Sequence, residues 1–330
     1  MNNWKIGTHQ EDKMKRKLFI SLAGVMALVF IGLFFAGNYF YGEGIKRGTE
    51  VELHQESANI NSVASAEDQA LFEEVNRWFE SRETEQIKIT SHDGLSLAAQ
   101  FINNESNNQK AVILAHGFRS NGDDMGKLAG LYYNKGFDIL LPDARGHGES
   151  EGDYIGYGWH DRLDYLDWID LLIEEYNMED IILHGNSMGA ATVLMTSGEE
   201  LPEEVKGIIA DSGYSTVKDE LAHQLEHLYG LPAFPLLDVT SLITKIRAGY
   251  MLGEASSVKQ VKNNTLPLLI IHGEDDDLVP ADMAYEIYDA AGGEKELWIV
   301  PQAGHTKAME NITGEFSERV GTFVDGVLGE

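Results

Sequence analysis

Apolar positions change their spacing several times along the chain, and each change marks a part. Residues 18–42 are 25 positions without a charged side chain, mostly Leu, Ile, Val, Phe, Ala and Gly. As a helix this run would measure about 37 Å, against a bilayer hydrocarbon core of about 30 Å. Residues 43–64 are polar, show little periodicity and read as a stalk. Leu71, Phe72, Val75, Trp78 and Phe79 then recur at helical spacing within 67–80, which predicts a helix that docks on the domain and sets its distance from the membrane. Ile87 and Ile89 alternate with polar residues, His92-Asp93-Gly94 makes a turn, and 95–102 alternates again, the pattern of an opening hairpin.

Beyond a polar loop at 103–109, strand and helix patterns alternate. Strands are predicted over 111–115, 137–141, 181–183, 205–210, 266–271 and 297–300. Helices are predicted over 125–133, 162–176 and 316–327, the second carrying a stripe of Leu163, Leu166, Ile169, Leu172 and Ile173. This order implies an α/β fold, a mostly parallel sheet with helices on both faces. Residues 214–264 break the alternation and predict a helical insertion, or cap, over the C-terminal edge of the sheet, where open α/β sheets bind ligands. The expected organisation is a cytoplasmic basic N-terminus at 1–17, a transmembrane anchor at 18–42, a stalk and docking helix at 43–85, and one catalytic domain over 86–330.

Charge sharpens the division at the N-terminus. Lys13, Lys15, Arg16 and Lys17 stand just before the apolar run, so by the positive-inside rule the N-terminus is cytoplasmic and the domain outside. The run is longer than the roughly 7–15-residue core of a cleaved signal peptide. Phe35-Ala36-Gly37 is a poor cleavage site, so an uncleaved single-pass anchor is expected, with a cleaved signal peptide as the alternative. The first 17 residues hold five basic and two acidic side chains, leaving 20 basic against 52 acidic in the rest. So acidic a surface repels nucleic acid. The chain has no cysteine, which excludes disulfides and thiolate metal sites.

Chemistry concentrates in Gly185-Asn186-Ser187-Met188-Gly189, a G-x-S-x-G pattern between an apolar strand and a small-residue helix. That context predicts a sharp turn holding the Ser187 hydroxyl at the top of the sheet, with the Met188 amide beside it at a helix N-terminus. A serine hydroxyl needs a base, and the base an orienting acid. His305, just after the last predicted strand, is the base candidate. Asp276, in the loop after the preceding strand, is the acid candidate, with Asp275, Asp277 and Asp211 as rivals. The order Ser, Asp, His suits an α/β-hydrolase arrangement. The second oxyanion donor is expected from the amide of Phe118 in His116-Gly117-Phe118-Arg119. His116, His184 and His272, each before a glycine at a strand end, read as packing or loop histidines. Tyr214, Leu231, Phe234 and Leu236 are the substrate-pocket candidates from the insertion.

With these residues in place the chain resembles the α/β-hydrolase superfamily over about residues 86–329. Leu141-Pro142-Asp143-Ala144-Arg145-Gly146-His147-Gly148-Glu149-Ser150, the Ser187 motif, and His272-Gly273 with Asp276, Val279 and Pro280 are similar to membrane-anchored bacterial cell-surface hydrolases related to the serine aminopeptidase-like group. The resemblance implies the triad Ser187, Asp276 and His305, oxyanion amides at Phe118 and Met188, a structural role for Arg145-Gly146-His147-Gly148, and no metal or organic cofactor. The expected activity is a serine carboxylesterase acting on a small-molecule ester or a cell-envelope acyl substrate. The alternatives are a cell-envelope peptidase, for which Glu220 or Glu226 would hold a substrate ammonium, an acyltransferase on the same triad, and a non-catalytic surface binding protein. Oligomeric state is not legible.

Overall fold

The computed structural model describes residues 4–48 and 64–329. Most of the expected stalk therefore lies outside the described residues. Helix α1 (Trp4–Gly44) contains the apolar run, and α2 (Ala66–Glu80) is capped by Ser65, whose hydroxyl accepts from the Asp68 amide. The central sheet has eight strands: β1 (Glu85–Thr90), β2 (Ser96–Ile102), β3 (Lys110–Ala115), β4 (Asp138–Pro142), β5 (Asp180–Asn186), β6 (Val205–Asp211), β7 (Leu268–Gly273) and β8 (Lys295–Val300). Their spatial order is β1-β2-β4-β3-β5-β6-β7-β8. β1 pairs with β2, and β2 with β4, antiparallel; every later pairing is parallel.

Period-two alternation sorts the strand residues onto two faces. Ile113, Leu183, Ile208 and Ile270 pack under α4 (Asp161–Glu174), α5 (Met188–Thr196) and α9 (Asp282–Ala290). Val112, Leu114, Ile182, Ile209 and Ile271 pack under α3 (Gly126–Asn134) and α11 (Thr313–Leu328), with α10 (Ala308–Asn311) and the apolar stripe of α2 on the same side. Because β3 and β5 are neighbours with their crossovers on opposite faces, the strand order reverses between them. A crevice opens there at the C-terminal ends of the strands.

Between β6 and β7 lie α6 (Val217–Tyr229), α7 (Leu236–Ala248) and the short α8 (Ser257–Gln260). They close a third cluster above the crevice, built from Tyr157, Met188, Tyr214, Leu237, Ile243 and Tyr250. Tyr41 and Ile45, from the end of α1 and just after it, belong to this same cluster. Residues 43–48, polar in sequence, are thus docked rather than extended. Ile45 is fully buried, Lys46 bridges Tyr154, and the Arg47 guanidinium donates to the carbonyls of Gly148 and Ser150. In α4 the buried face is Tyr165, Trp168, Ile169 and Leu172 with Asp161 and Asp164. It is turned from the aliphatic stripe because Arg145 draws Asp164 inward, through bonds of 2.8 Å from Nε and 2.5 Å from Nη2.

Candidate active site

Ser187 sits between β5 and α5 with φ 56° and ψ −117°, a left-handed backbone that an L-residue adopts only under constraint. The constraint comes from close crossing of strand and helix. A Cβ on Gly185 would strike the Gly189 carbonyl, and one on Gly189 would strike the Ala115 carbonyl, so both flanking positions require glycine. The Ser187 amide donates to the Asp211 carbonyl at 2.8 Å, which ties the turn to the end of β6.

Two loops bring the partners. After β8 the chain turns through Gln302 and Thr306, both with positive φ, and presents His305. After β7 the amides of Glu274 and Asp275 donate to the carbonyls of Val300 and Ala303, fastening the Asp276 loop to the His305 loop. The result is a continuous chain of polar atoms. Ser187 Oγ lies 2.8 Å from His305 Nε2, and His305 Nδ1 lies 2.8 Å from Asp276 Oδ2. Asp276 Oδ1 accepts from the amides of Leu278 and Val279 at 3.0 and 2.8 Å. Burial opposes ionisation of Asp276, but hydrogen bonds from His272 and His305 outweigh it and hold the carboxyl down to about 2. An ionised carboxylate only accepts, so His305 Nδ1 carries its proton and Nε2 is left to accept from the Ser187 hydroxyl.

Of the four aspartates considered, the geometry brings Asp276 to the imidazole. Asp275 and Asp277 are exposed, and Asp211 accepts from the Ser212 hydroxyl at 2.9 Å. His272 has a larger part than its sequence context indicated. Its Nε2 donates to the Val279 carbonyl at 2.8 Å and lies 3.3 Å from Asp276 Oδ2, so two imidazoles flank one carboxylate oxygen. The available signal was its i, i+4 spacing to Asp276.

Gly117 leads the loop after β3 past the nucleophile; a Cβ there would lie 3.5 Å from Ser187 Cβ. Two neutral histidines hold this loop. His116 Nδ1 donates to the Gly117 carbonyl and its Nε2 accepts from the Ala144 amide. His147 Nδ1 donates to the Arg145 carbonyl and its Nε2 accepts from the Arg119 amide. Burial pushes both imidazoles down to about 4, so each keeps an acceptor nitrogen at neutral pH. Met188 is the first residue of α5, where backbone N–H groups have no helical acceptor.

Above Ser187 a pocket encloses about 950 Å³ of empty space, its open mouth included. Phe118, Tyr157, Met188 and Tyr214 form its floor, and Leu221, Leu225, Leu236 and Leu237 the cap side. Of the four pocket candidates from the insertion, Tyr214 and Leu236 line it. Leu231 and Phe234 do not: they are 39% and 77% exposed in the turn between α6 and α7. Left-handed Gly230 ends α6 and directs that turn outward, leaving the first turn of α7 to fill the pocket wall. Glu220 lines the pocket, whereas Glu226 is exposed. Burial pushes the Glu220 carboxyl up to about 8, although Gln224 donates to it, and Oε2 has no partner.

An eight-stranded, mostly parallel sheet with a serine on a strained strand-to-helix turn defines the α/β-hydrolase fold. Known proteins agree. Residues 106–240 match the model of a family described as serine aminopeptidase, S33. YqkD of Bacillus subtilis (strain 168) is 28% identical over 316 residues, which are 95% of this chain and 98% of that protein. Lysophosphatidylserine lipase ABHD12 of Xenopus tropicalis is 27% identical over 178 residues, covering 53% of this chain and 45% of the lipase. The solved structure of the Pyrococcus furiosus esterase Pf2001 superimposes with a TM-score of 0.61 at 25% identity, covering 74% of this chain and 91% of the esterase. The chain has the α/β-hydrolase fold and is a hydrolase, similar to an esterase over 74% of its length and to a lipase over 53%.

Proposed function

We propose that the chain is a membrane-anchored serine hydrolase that cleaves carboxylic esters through Ser187, His305 and Asp276. The observation that carries this is the unbroken 2.8 Å and 2.8 Å relay from Ser187 through His305 to Asp276 at the base of an apolar pocket. Ser187 Oγ attacks the ester carbon as His305 Nε2 takes its proton. The amides of Phe118 and Met188 receive the charge that develops on the carbonyl oxygen, each such donor being worth about 3 kcal/mol. The C–O bond then breaks, and the alcohol leaves with the proton from His305. Water, deprotonated by His305, releases the acid and restores Ser187.

The ester reading is favoured over the aminopeptidase one by Glu220. Its carboxyl is neutral at pH 7 and sits among leucines, which suits an acyl chain better than an ammonium. Retention of α1 as a single-pass anchor is supported by its length and apolar composition. The basic residues before the apolar run support an extracytoplasmic domain.

The test uses the full chain in detergent with p-nitrophenyl esters of increasing length beside aminoacyl-nitroanilides. Esters should turn over, and Ser187→Ala and His305→Ala should each lower kcat by at least about 10³-fold with the melting temperature unchanged. Persistent turnover in Ser187→Ala would sink the mechanism. Anilide turnover would make the protein a peptidase.

A further inference from the structure

The end of α1 is a wall of the pocket that contains Ser187. Phe40, Glu43, Gly44 and Ile45 line that pocket together with α6 and α7. The join is tight. A Cβ on Gly37 would lie 2.8 Å from Val239 Cγ1 and 3.3 Å from the Thr240 amide, so α1 and α7 cross at a glycine. The ring of Phe40 meets Tyr229 edge-on at 5.2 Å, Arg119 donates to the Glu43 carbonyl, and the Tyr157 hydroxyl donates to the Gly44 carbonyl at 2.8 Å.

Length places this join against the membrane. About 20 helical residues cross a hydrocarbon core of about 30 Å. Counted from Leu18, that span ends at Gly37, where α7 is packed. The apolar surface of α7 does not stop at α1. Leu242 and Ile246, one helical stripe beyond Val239 and Ile243, are 55% and 77% exposed. Phe234 before α7 and Phe34 and Phe35 on α1 are exposed as well. In water these apolar side chains stay uncovered, and a bilayer around the apolar run of α1 would be the adjacent apolar phase.

We propose that the exposed face of α7 lies in the lipid of the membrane that α1 spans, and that the pocket, walled by the end of α1, draws its substrate from that bilayer as a long-chain acyl ester. This rests on the serine-hydrolase reading above and names its substrate class. The reaction stays balanced as written there: water is consumed, and a fatty acid and an alcohol are released. The anchor is then a structural part of the site, and the open side of the pocket is fed laterally rather than from solution.

Two measurements on the full chain in phosphatidylcholine vesicles test this. The chain lacks cysteine, so Ile246→Cys can carry a single environment-sensitive fluorophore, with Glu286→Cys on the exposed side of α9 as control. The label at 246 should emit blue-shifted and be quenched by doxyl-labelled lipid, and that at 286 should not. Water-like emission at both sites would overturn the proposal without touching the hydrolase reading. In the second measurement, Leu242→Glu with Ile246→Glu should leave p-nitrophenyl butyrate turnover unchanged and lower hydrolysis of vesicle-embedded p-nitrophenyl palmitate at least tenfold. An unchanged ratio of the two rates overturns the proposal alone. No turnover of either ester by the native chain overturns the hydrolase reading and the proposal with it.

Discussion

Two carboxyl groups near Ser187 are held in opposite states, and the difference is testable residue by residue. Asp276 has two imidazoles and two amides around it and stays ionised. Asp276→Asn keeps the shape but reverses the hydrogen bond to His305 Nδ1, which favours the wrong tautomer; kcat is expected to fall by about 10⁴-fold. Asp275→Ala and Asp277→Ala, both at exposed positions, should stay within about twofold of the native rate. Glu220 is the contrasting case, buried and raised to about 8. Above that pH it ionises inside an apolar pocket, so KM for an apolar ester should climb through about pH 8 while remaining flat in Glu220→Gln. A profile that climbs equally in both would show that another group titrates.

At the scale of elements, Arg145 fastens the loop after β4 to α4 and to the β1–β2 turn, with Asp164 on one side and Asp93 at 2.9 Å on the other. Burial already raises the Asp164 carboxyl to about 7, so in Arg145→Ala it would take up a proton and lose its donors, and a loss of about 1–3 kcal/mol is expected in denaturant melts. Asp164→Asn added to that variant should recover part of it, since no carboxyl then has to be held protonated at that position. A double variant no more stable than the single one would place the cost in lost packing of the arginine stem instead.

Elements differ in how legible they were. The strands and the Ser187 turn were readable because a buried parallel strand is a continuous apolar run and the turn demands glycine at fixed offsets. Their ends moved by one to three residues, as with β5, which runs to Asn186 rather than Leu183. The docking of α1 was not readable, because a helix apolar on every side does not distinguish a protein-facing stripe from a lipid-facing one. The stripe Gly37, Tyr41, Ile45 is visible only once α7 is known to lie against it. Leu231 and Phe234 misled for the same reason, since apolar composition in a cap does not say which way a turn faces.

The molecule as a whole stores several ionisable groups in their neutral form, and this fixes how its stability responds to acid. His116, His147 and His184 are buried, and burial holds them to about 4, about 4 and about 3, against 6.5 for an ordinary imidazole. As pH falls below 6.5 the unfolded chain takes up these protons and the folded chain does not, so stability declines until the folded-state values are reached. Glu220 works in the other direction: its proton, kept in the fold up to about pH 8, adds stability as pH falls from 8 towards 4.5. Comparing two chains that differ at one of these groups isolates its contribution. His147→Gln retains a side-chain acceptor for the Arg119 amide and a donor for the Arg145 carbonyl without an imidazole. Between pH 6.5 and 4 the unfolding free energy of the native chain should fall more steeply than that of the variant by one proton. That amounts to a total on the order of 3 kcal/mol across the window. Parallel curves would mean that His147 is already charged in the folded protein, and that the loop bearing Phe118 is held by something other than a neutral imidazole.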